Sequence, residues 1–367
     1  MDVDVVRPGE LGPPEIDAWR RFQTTCPEWA NPFLAPEFAL AVGQVRPEAR
    51  VAVLSGPGGA LGFFPFETGP FGYGKPIAAG LTDCQGLVHA PGLEWDPREL
   101  LRRCGLAIWE FDHLVCGLEP LEPFVLCHAP SPVIDLRGGF PAYLAGRTAS
   151  RIRDLPRRRR KLTREHGEPR FVYNSDDRAA LRTVLAWKSA QYRRTGRSDR
   201  FARRWIVELV ETLLATRTPA FSGLLSVLYA GDTIVAGHVG LRSEQVVPTW
   251  FPAYNPDFAR YSPGLLLHLE LARAAADAGV LQVDLGRGAK DYKEWLKTGD
   301  LTVAEGRVTR RVPGAALHWA RREPARRLRN TVTAHPVLFR AADRALKATG
   351  RVRIRTATAH PTREELS

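Results

Sequence analysis

Hydrophobic and polar positions in the first part of the chain follow helical and strand periods in turn. Apolar stretches headed by proline at residues 14–22 and 36–45 predict two helices, because proline fits the first helical turn. Apolar runs at residues 50–56 and 59–67 flank Pro-Gly-Gly and predict a β-hairpin. A helix capped by Asp96 and three strand-like runs (IWEFDHLVC, PFVLCHA and SPVIDL) complete a predicted mixed α+β unit.

The second part of the chain repeats this order of elements. A predicted helix over residues 178–195 has Asp176 or Asp177 at its N-terminal cap and Gly196 at its end. The other predicted helices and strands, with a hairpin about Gly231, lie in the runs PRFVYN, FARRWIVELVETLLATR, FSGLLSVLYAGDTIVAGHVGLRS, QVVPTWFPAY, SPGLLLHLELARAAADAG, LQVDLGRG, DYKEWLK and LTVAEGRVTRR. The shared order predicts a weak twofold structural duplication.

A basic stretch connects the two parts. Nine arginines and lysines lie between Arg147 and Arg164, against the acids Asp154 and Glu165. Pro156 interrupts this stretch and predicts two helical pieces with a break between them, because proline cannot continue a helix from its interior. The bases can form a solvated helix face or a surface for a phosphate backbone, and we favour the solvated face.

Length and charge refine this organisation. A chain of 367 residues with 44% hydrophobic and 25% charged residues is typical of a globular protein with two domains. The net charge of +12 suggests nucleic-acid binding, but residues 307–355 hold 14 bases against the two acids Glu323 and Asp343. The remainder of the chain is therefore nearly neutral, and the basicity belongs to the C-terminal part.

The cysteines and histidines argue against a metal site or a disulfide framework. The five cysteines include no C-x-x-C pair, which suits a reducing cytoplasm, and the nine histidines lack metal-ligand spacing. We predict no metal. No apolar run reaches the roughly 18 residues of a membrane-spanning helix, and we expect neither such a helix nor a secretory signal.

The run RYSPGLLLHLE begins a helix in a way that suits an anion. A helix N-terminus leaves about four backbone N–H groups without internal partners and carries roughly half a positive charge, which together attract phosphate. Pro263 fits the first turn, Gly264 lets a bulky anion approach the backbone, and Ser262 can cap the helix or donate to a phosphate oxygen. The same residues also suit an ordinary helix start that binds nothing.

A strand end downstream carries candidate chemistry. The run VDLGRGAKDYKEW places Asp284, Tyr292 and Lys293 about a Gly-Arg-Gly turn. A tyrosine hydroxyl can protonate a departing thiolate, and a carboxylate or histidine can relay the proton of an amine. Candidate catalytic residues are therefore Tyr292, Asp284 and His238, although His238 lies in a strand with small neighbours and favours a structural role.

These segments carry a family resemblance. The run PTWFPAYNPDFARYSPGLLLHLELARAAADAGVLQVDLGRGAKDYKEWL, with LAWKSAQYRRTGRSDRFARRW, NPFLAPEF, GALGFFPFE and GLTDCQGLV, resembles the GNAT-like N-acyltransferases of the CelD type, associated with polysaccharide biosynthesis. The resemblance covers roughly residues 30–305. It implies two GNAT-type folds in tandem, like the Fem peptidyltransferases, with acyl-CoA as donor, an amine as acceptor and acetyl as the expected acyl group.

The resemblance also assigns domains. It implies an α+β protein with a degenerate GNAT-like domain at residues 1–136, a connector at 137–168 and an acyl-CoA-binding domain at 169–311. A basic helical extension follows at 312–367. In both GNAT-like domains a mixed, mostly antiparallel sheet is flanked by helices.

The resemblance also assigns cofactor-binding residues by their positions in the matching segments. The resemblance places the CoA pyrophosphate at a loop, and Lys293 more plausibly binds phosphate or substrate than performs chemistry. The predicted cofactor-binding residues are Arg260, Tyr261, Ser262, Pro263, Gly264, Leu265 and Lys293. The broader superfamily has the phosphate-loop pattern [RQ]-x-x-G-x-[GA], from which this chain departs with Pro263 at the fourth position and Leu265 at the sixth.

Substrate-binding candidates surround this loop in the sequence. Trp250 and Tyr254 are expected to shape the acceptor cleft, although each also suits a hydrophobic core. Lys188, Gln191 and Tyr192 share one helix face, because they lie within about one turn. Asp83, in a turn of the first domain, is expected to form a wall of the cleft.

Two alternatives remain at this point. Fem-like relatives take an aminoacyl group from tRNA, so the basic connector could hold a tRNA backbone, although we expect no nucleic-acid partner. The C-terminal segment interleaves bases with Leu, Trp, Phe and Val and could lie peripherally on an anionic membrane, as an anchor of a cytoplasmic enzyme.

Overall fold

The structure, a computed structural model, describes residues 2–288 and 290–312. The predicted C-terminal membrane anchor lies outside the described residues from residue 313 onward. No helix in the described part of the chain is long and apolar enough to cross a membrane.

The first part of the chain forms helices and strands in nearly the predicted order. Its three α-helices are α1 (Pro13–Thr25), α2 (Pro36–Val45) and α3 (Pro97–Arg103). Its strands are β1 (Asp2–Val6), β2 (Ala49–Gly56), β3 (Gly59–Thr68), β4 (Tyr73–Pro76), β5 (Val88–His89), β6 (Ile108–Val115) and β7 (Val125–Asp135). The strand-like runs PFVLCHA and SPVIDL form the single strand β7, so the prediction of two strands there was wrong.

The second part contains the remaining elements of the described chain. Its helices are α4 (Gly139–Ala145), α5 (Ser150–Arg153), α6 (Leu155–His166), α7 (Arg178–Arg194), α8 (Arg204–Ala215), α9 (Pro263–Asp277) and α10 (Asp291–Leu296). Its strands are β8 (Pro169–Val172), β9 (Phe221–Ala230), β10 (Thr233–Ser243), β11 (Val246–Pro248), β12 (Phe251–Tyr254), β13 (Gln282–Asp284) and β14 (Gly299–Thr309).

Local sequence signals set several of these boundaries. The Asp96 carboxylate accepts a hydrogen bond from the Glu99 amide (2.7 Å) and begins α3 as predicted. The predicted break in the connector is confirmed, because α5 ends at Arg153 and Pro156 lies in the first turn of α6. Asp177, rather than Asp176, caps α7 by accepting from two backbone amides (2.7 and 3.0 Å).

Replacement of the α7 cap should destabilise the protein. Asp177→Ala removes the acceptor for two helical N–H groups, and we expect a loss of about 1 kcal/mol in the free energy of unfolding. Asp176→Ala removes only an exposed pairing with Arg217 and should cost at most about 0.5 kcal/mol. Chemical denaturation of both variants measures the difference, and equal losses would contradict the assignment of the cap.

The strands form two sheets. The ten-stranded sheet has the order β1-β2-β3-β4-β6-β14-β7-β13-β11, with β5 paired to β3, and only the β4–β6 and β11–β13 pairs are parallel. The second sheet has the antiparallel order β12-β10-β9-β8. Strand β14, near the end of the described chain, lies between β6 and β7, so strands from both parts of the chain share one sheet.

The predicted strand QVVPTWFPAY is divided between the two sheets. Its first piece, β11, pairs with β13 in the large sheet, and its second piece, β12, pairs with β10 in the small sheet. The division falls at Thr249 and Trp250, whose amides donate to the Asp284 carbonyl (2.7 Å) and to His238 Nε2 (3.3 Å). The sheets therefore diverge beside β12 and β13, and α9 packs near this opening through buried leucines and alanines.

Candidate active site

Two cavities meet where the sheets diverge. The small cavity, of about 300 Å³, includes the start of α9 in its wall, and the large cavity, of about 730 Å³, extends toward the first part of the chain. Both are lined by Lys188, Pro252, Lys290 and Tyr292. These four residues mark the junction through which the cavities communicate.

The first turn of α9 has one backbone donor without an internal partner. Pro263 has no N–H, and the amides of Leu265 and Leu266 both donate to the Ser262 carbonyl (3.0 and 3.1 Å). The Gly264 N–H has no hydrogen-bond partner among the described residues. The helix therefore offers the small cavity one free N–H and its positive dipole end, not the four donors that a general helix start would provide.

Ser262 has a conformation that marks this turn as unusual. Its backbone is left-handed, with φ 56° and ψ 49°, which costs a non-glycine residue about 1–2 kcal/mol. Its side chain makes no capping hydrogen bond, so the predicted capping role was wrong. The residue lines the small cavity with Pro263, Gly264 and Leu265, as the predicted phosphate loop requires.

Arg260 and Tyr261 do not line this cavity. The Arg260 guanidinium donates to Glu165 (3.0 Å), and the Tyr261 hydroxyl donates to the same carboxylate (2.5 Å) and lies 2.9 Å from His166 Nε2. Tyr261 is almost fully buried. Both side chains attach the loop to α6, and their role in cofactor binding remains a prediction.

Aromatic and polar side chains form the other walls of the small cavity. The Tyr292 ring stacks on His268 with centroids 5.3 Å apart, and Tyr254 and Gln191 also line the space. Gln191 Oε1 and His268 Nδ1 are buried and have no hydrogen-bond partner among the described residues. Because buried polar atoms normally have partners, these two atoms suit a ligand with amide groups.

Burial sets the protonation states of the two stacked rings. Burial raises the pKa of the Tyr292 hydroxyl to about 12, so this group keeps its proton at neutral pH. Burial, with the nearby Lys188 and Lys293 charges, lowers the pKa of His268 to about 4, so its imidazole is neutral. The Tyr292 hydroxyl can therefore donate a hydrogen bond or a proton, whereas His268 is a neutral packing group.

Lys188 lies at the junction of the cavities and has a perturbed amine. Its Nζ donates to the Pro252 carbonyl (2.9 Å). Burial, together with the positive charges of Lys290, Arg197 and Arg200, lowers the pKa of Lys188 to about 7. A substantial fraction of this lysine is therefore a neutral amine at physiological pH, a state in which it can accept a proton.

The large cavity contains three predicted substrate-binding side chains besides Lys188. Trp250, whose indole N–H donates to the Leu81 carbonyl (2.9 Å), lines it with Tyr192 and Asp83. Asp83 is one-third exposed, and burial raises the pKa of its carboxyl group. Thr249 lines the same cavity, and its buried hydroxyl has no partner in the described part of the chain.

Lys293 and Asp284 organise the turn between β13 and α10. Lys293 Nζ donates to the carbonyls of Gly286 (2.6 Å) and Arg287 (3.1 Å) and borders the large cavity, not the phosphate loop. Asp284 accepts from the Gly286 amide (2.8 Å) and the Ser131 hydroxyl (3.2 Å). Lys293 and Asp284 therefore hold this turn, and their roles in cofactor binding and in catalysis remain predictions.

His238 is the third catalytic candidate that the sequence predicts. Its side chain is fully buried, its Nε2 accepts from the Trp250 amide, and it does not line either of the two cavities. Burial, with smaller contributions from the neighbouring His268 and Lys188, lowers the pKa of His238 to about 3. The imidazole therefore supports the break between β11 and β12, which is the structural role favoured by its small neighbours.

Sequence reasoning missed two residues of the junction and its surroundings. His268 follows Gly264 by four residues in α9, so helical spacing already placed both on one face. Lys290 precedes Tyr292 by two residues, and its pKa is lowered by burial and by Arg197. No group of side chains in the described part of the chain has the arrangement of a metal site.

A family model supports the assignment of the second part of the chain. Residues 149–294 match the family described as an acetyltransferase (GNAT) domain. This match contains the phosphate loop, the junction residues and the division between β11 and β12. None of the curated proteins matches this chain.

Solved structures share the fold at low sequence identity. FemX has a TM-score of 0.56 at 11% identity, over 84% of this chain and 96% of its own. A conserved Bacteroides thetaiotaomicron protein of unknown function has a TM-score of 0.52 at 11% identity, over 82% of this chain and 98% of its own. L-PGS from Bacillus licheniformis has a TM-score of 0.50 at 12% identity, over 85% of this chain and 96% of its own. The predicted α+β fold with tandem GNAT-like units is thereby confirmed.

Proposed function

We propose that this protein is an N-acyltransferase that moves an acyl group, with acetyl as the expected group, from acyl-CoA to an amine of a sugar, an amino acid or another small metabolite. Polysaccharide or specialised-metabolite biosynthesis is the proposed setting, from the CelD-type resemblance. The observation that supports the proposal is the joining of two cavities at Lys188 and Tyr292, with the start of α9 in one of them.

The small cavity fits the donor. The free Gly264 N–H and the dipole of α9 suit a pyrophosphate. The unpartnered Gln191 Oε1 and His268 Nδ1 suit the amides of a pantetheine arm. The acyl end of a donor held in this way reaches the junction, and the large cavity is left for the acceptor.

The junction side chains can carry both proton transfers. An acyl thioester supplies an electrophilic carbonyl carbon, at which an N–C bond replaces the C–S bond. Neutral Lys188 accepts the proton that the attacking amine loses, and the Tyr292 hydroxyl donates a proton to the departing sulfur. Each group has the protonation state that this role needs at neutral pH.

Removal of the proposed acid should slow turnover moderately. Tyr292→Phe keeps the ring that stacks on His268 and deletes only the hydroxyl, so we expect kcat to fall roughly 30-fold, below the usual range for general acids because thiolates leave readily. The acetyl-CoA Kd should change little. Thiol release at saturating substrates measures the effect, and an unchanged kcat would remove Tyr292 from the mechanism.

The direct assay follows thiol release from acetyl-CoA and longer acyl-CoAs in the presence of amine acceptors. We expect release that depends on both the donor and an amine. Folded protein that releases no thiol with any acyl-CoA, and retains none on purification, would count against the proposal.

An aminoacyl-tRNA donor is the second candidate, because FemX shares the fold and the Fem-like relatives take an aminoacyl group from tRNA. The ion pairs of the connector helix α6 argue against this candidate. Arg157 and Arg158 both pair with Asp154, and Arg159 pairs with Glu270. These bases are engaged within the protein, which supports a structural role for this helix face. Salt-sensitive binding of charged tRNA, with no binding of acyl-CoA, would favour the second candidate.

A further inference from the structure

The large cavity has a strongly asymmetric charge. Asp83 is the only acidic residue among the described residues that line it. Its basic lining residues are Lys188, Arg197, Arg200, Arg203, Arg287, Lys290 and Lys293. The small cavity, by comparison, has only Lys188 and Lys290 as charged lining residues, and it shares both with the large one. The excess of positive charge therefore lies on the side away from the start of α9.

Four of these bases already have partners within the protein. Arg287 donates to the Asp112 carbonyl (2.6 Å) and pairs with Glu305 (3.1 Å), and Arg200 donates to the Gly80 carbonyl. Lys188 and Lys293 donate to backbone carbonyls, as described above.

The other three bases remain available. The side chains of Arg197, Arg203 and Lys290 have no hydrogen bond or ion pair with any described residue, and all three residues are exposed at the edge of the cavity. Like charges so placed repel one another in the free protein, and an anion between them relieves that repulsion.

The position of Arg197 and Arg203 argues against a role in holding the donor. A donor anchored at Gly264 directs its phosphates into the small cavity, where neither Arg197 nor Arg203 lies. The junction at Lys188 separates that region from the large cavity, which is also bordered by Trp250 and Tyr192. Arg197 and Arg203 therefore face the molecule that enters from the opposite side, which is the acceptor, and Lys290 lines both cavities at the junction.

We propose that the acceptor is an anionic amine, which carries a carboxylate or a phosphate in addition to the nucleophilic nitrogen, and that Arg197, Arg203 and Lys290 bind this anionic group. The inference rests on the proposed acyltransferase function and names the substrate class of the same site. A fixed anion-binding region also orients the acceptor, so that its amine points toward Lys188.

Matched pairs of amines test the inference. Glucosamine 6-phosphate against glucosamine tests for phosphate, and β-alanine against β-alanine amide tests for carboxylate. Calorimetric titrations are made into the full chain, both free and saturated with CoA. We expect the charged member of at least one pair to bind at least about tenfold more tightly than its neutral partner, with a preference that weakens as salt rises.

Two double variants locate the anion site. Arg197→Ala/Arg203→Ala should lose roughly tenfold in affinity for the preferred charged amine, since two cations leave its surroundings. Arg193→Ala/Arg194→Ala removes the same charge from exposed positions that line neither cavity and should leave that affinity unchanged. Thermal denaturation of both variants confirms that they fold.

The outcomes separate this inference from the proposed function. Absence of preference in both pairs, or a preference that survives in Arg197→Ala/Arg203→Ala, overturns the inference. Weaker acetyl-CoA binding in that variant also overturns it, because the bases then hold the donor, and the proposed function stands. Failure of the wild-type protein to bind acetyl-CoA rejects the proposed function, whereas the titrations without CoA still decide whether the cavity binds anions.

Discussion

Gly264→Val should weaken acetyl-CoA binding by roughly 100-fold or more, about 2.8 kcal/mol, and leave the protein folded. A Cβ at this position lies 3.5 Å from Tyr254 Cδ1, which is ordinary contact, so the two additional methyl groups of valine extend into the small cavity. They occupy the space beside the free Gly264 N–H. The backbone at Gly264 is helical, so valine is tolerated there.

Two controls accompany this variant. Gly264→Ala adds only the Cβ and should weaken binding much less. Gly58→Val places the same side chain in the β2–β3 turn, where a Cβ meets nothing within 4 Å, and should leave binding unchanged. Calorimetry with acetyl-CoA measures all three variants. Wild-type affinity in Gly264→Val would show that the donor does not bind at the start of α9.

Lys188→Met should reduce kcat by about 10²–10³-fold and remove the acidic limb of the pH profile. In the wild-type protein the ammonium form predominates below the pKa of about 7 and the amine form above it. Since only the amine accepts a proton, kcat should rise tenfold per pH unit below pH 7 and level off above it. Steady-state kinetics between pH 5 and 9 measures the profile, with acetyl-CoA saturating.

Further substitutions of Lys188 and Lys290 distinguish a role of Lys188 as the base from a role of its positive charge alone. Lys188→Arg keeps the positive charge but has no neutral form near pH 7, so it should be as slow as Lys188→Met. Lys290→Met removes a nearby positive charge and should raise the Lys188 pKa, which moves the limb to higher pH. A wild-type pH profile in Lys188→Met would exclude this lysine as the base.

Sequence reasoning succeeded where local chemistry decides the structure. The caps at Asp96 and Asp177, the break at Pro156 and the hairpin at Gly231 each depend on residues a few positions apart. The helix face that carries Lys188, Gln191 and Tyr192 also follows from spacing, and the structure brings all three to the cavities.

The errors arise from contacts between distant segments. The division of β11 from β12 depends on His238 and Asp284, which accept from the amides of Trp250 and Thr249. Arg260 and Tyr261 turn away from the small cavity because Glu165, almost a hundred residues earlier, binds both.

The charge of the large cavity also required the folded chain. Arg197 and Arg203 flank one loop, whereas Arg287 and Lys290 lie in the connection between β13 and α10, so the proximity of the two pairs has no signature in sequence spacing. The C-terminal basic segment dominated the net charge and obscured this smaller cluster. A sequence charge count therefore placed the basicity in one part of the chain, whereas the fold gathers a second set of bases at the candidate site.

The most direct test of the account is calorimetric titration of the full chain with acetyl-CoA, longer acyl-CoAs and CoA itself, in parallel with aminoacyl-tRNA. An acyl-CoA-dependent acyltransferase should show saturable one-to-one binding of acyl-CoA and CoA, with no binding of tRNA at physiological salt. Folded protein that gives no heat with any acyl-CoA, and binds aminoacyl-tRNA instead, would contradict it.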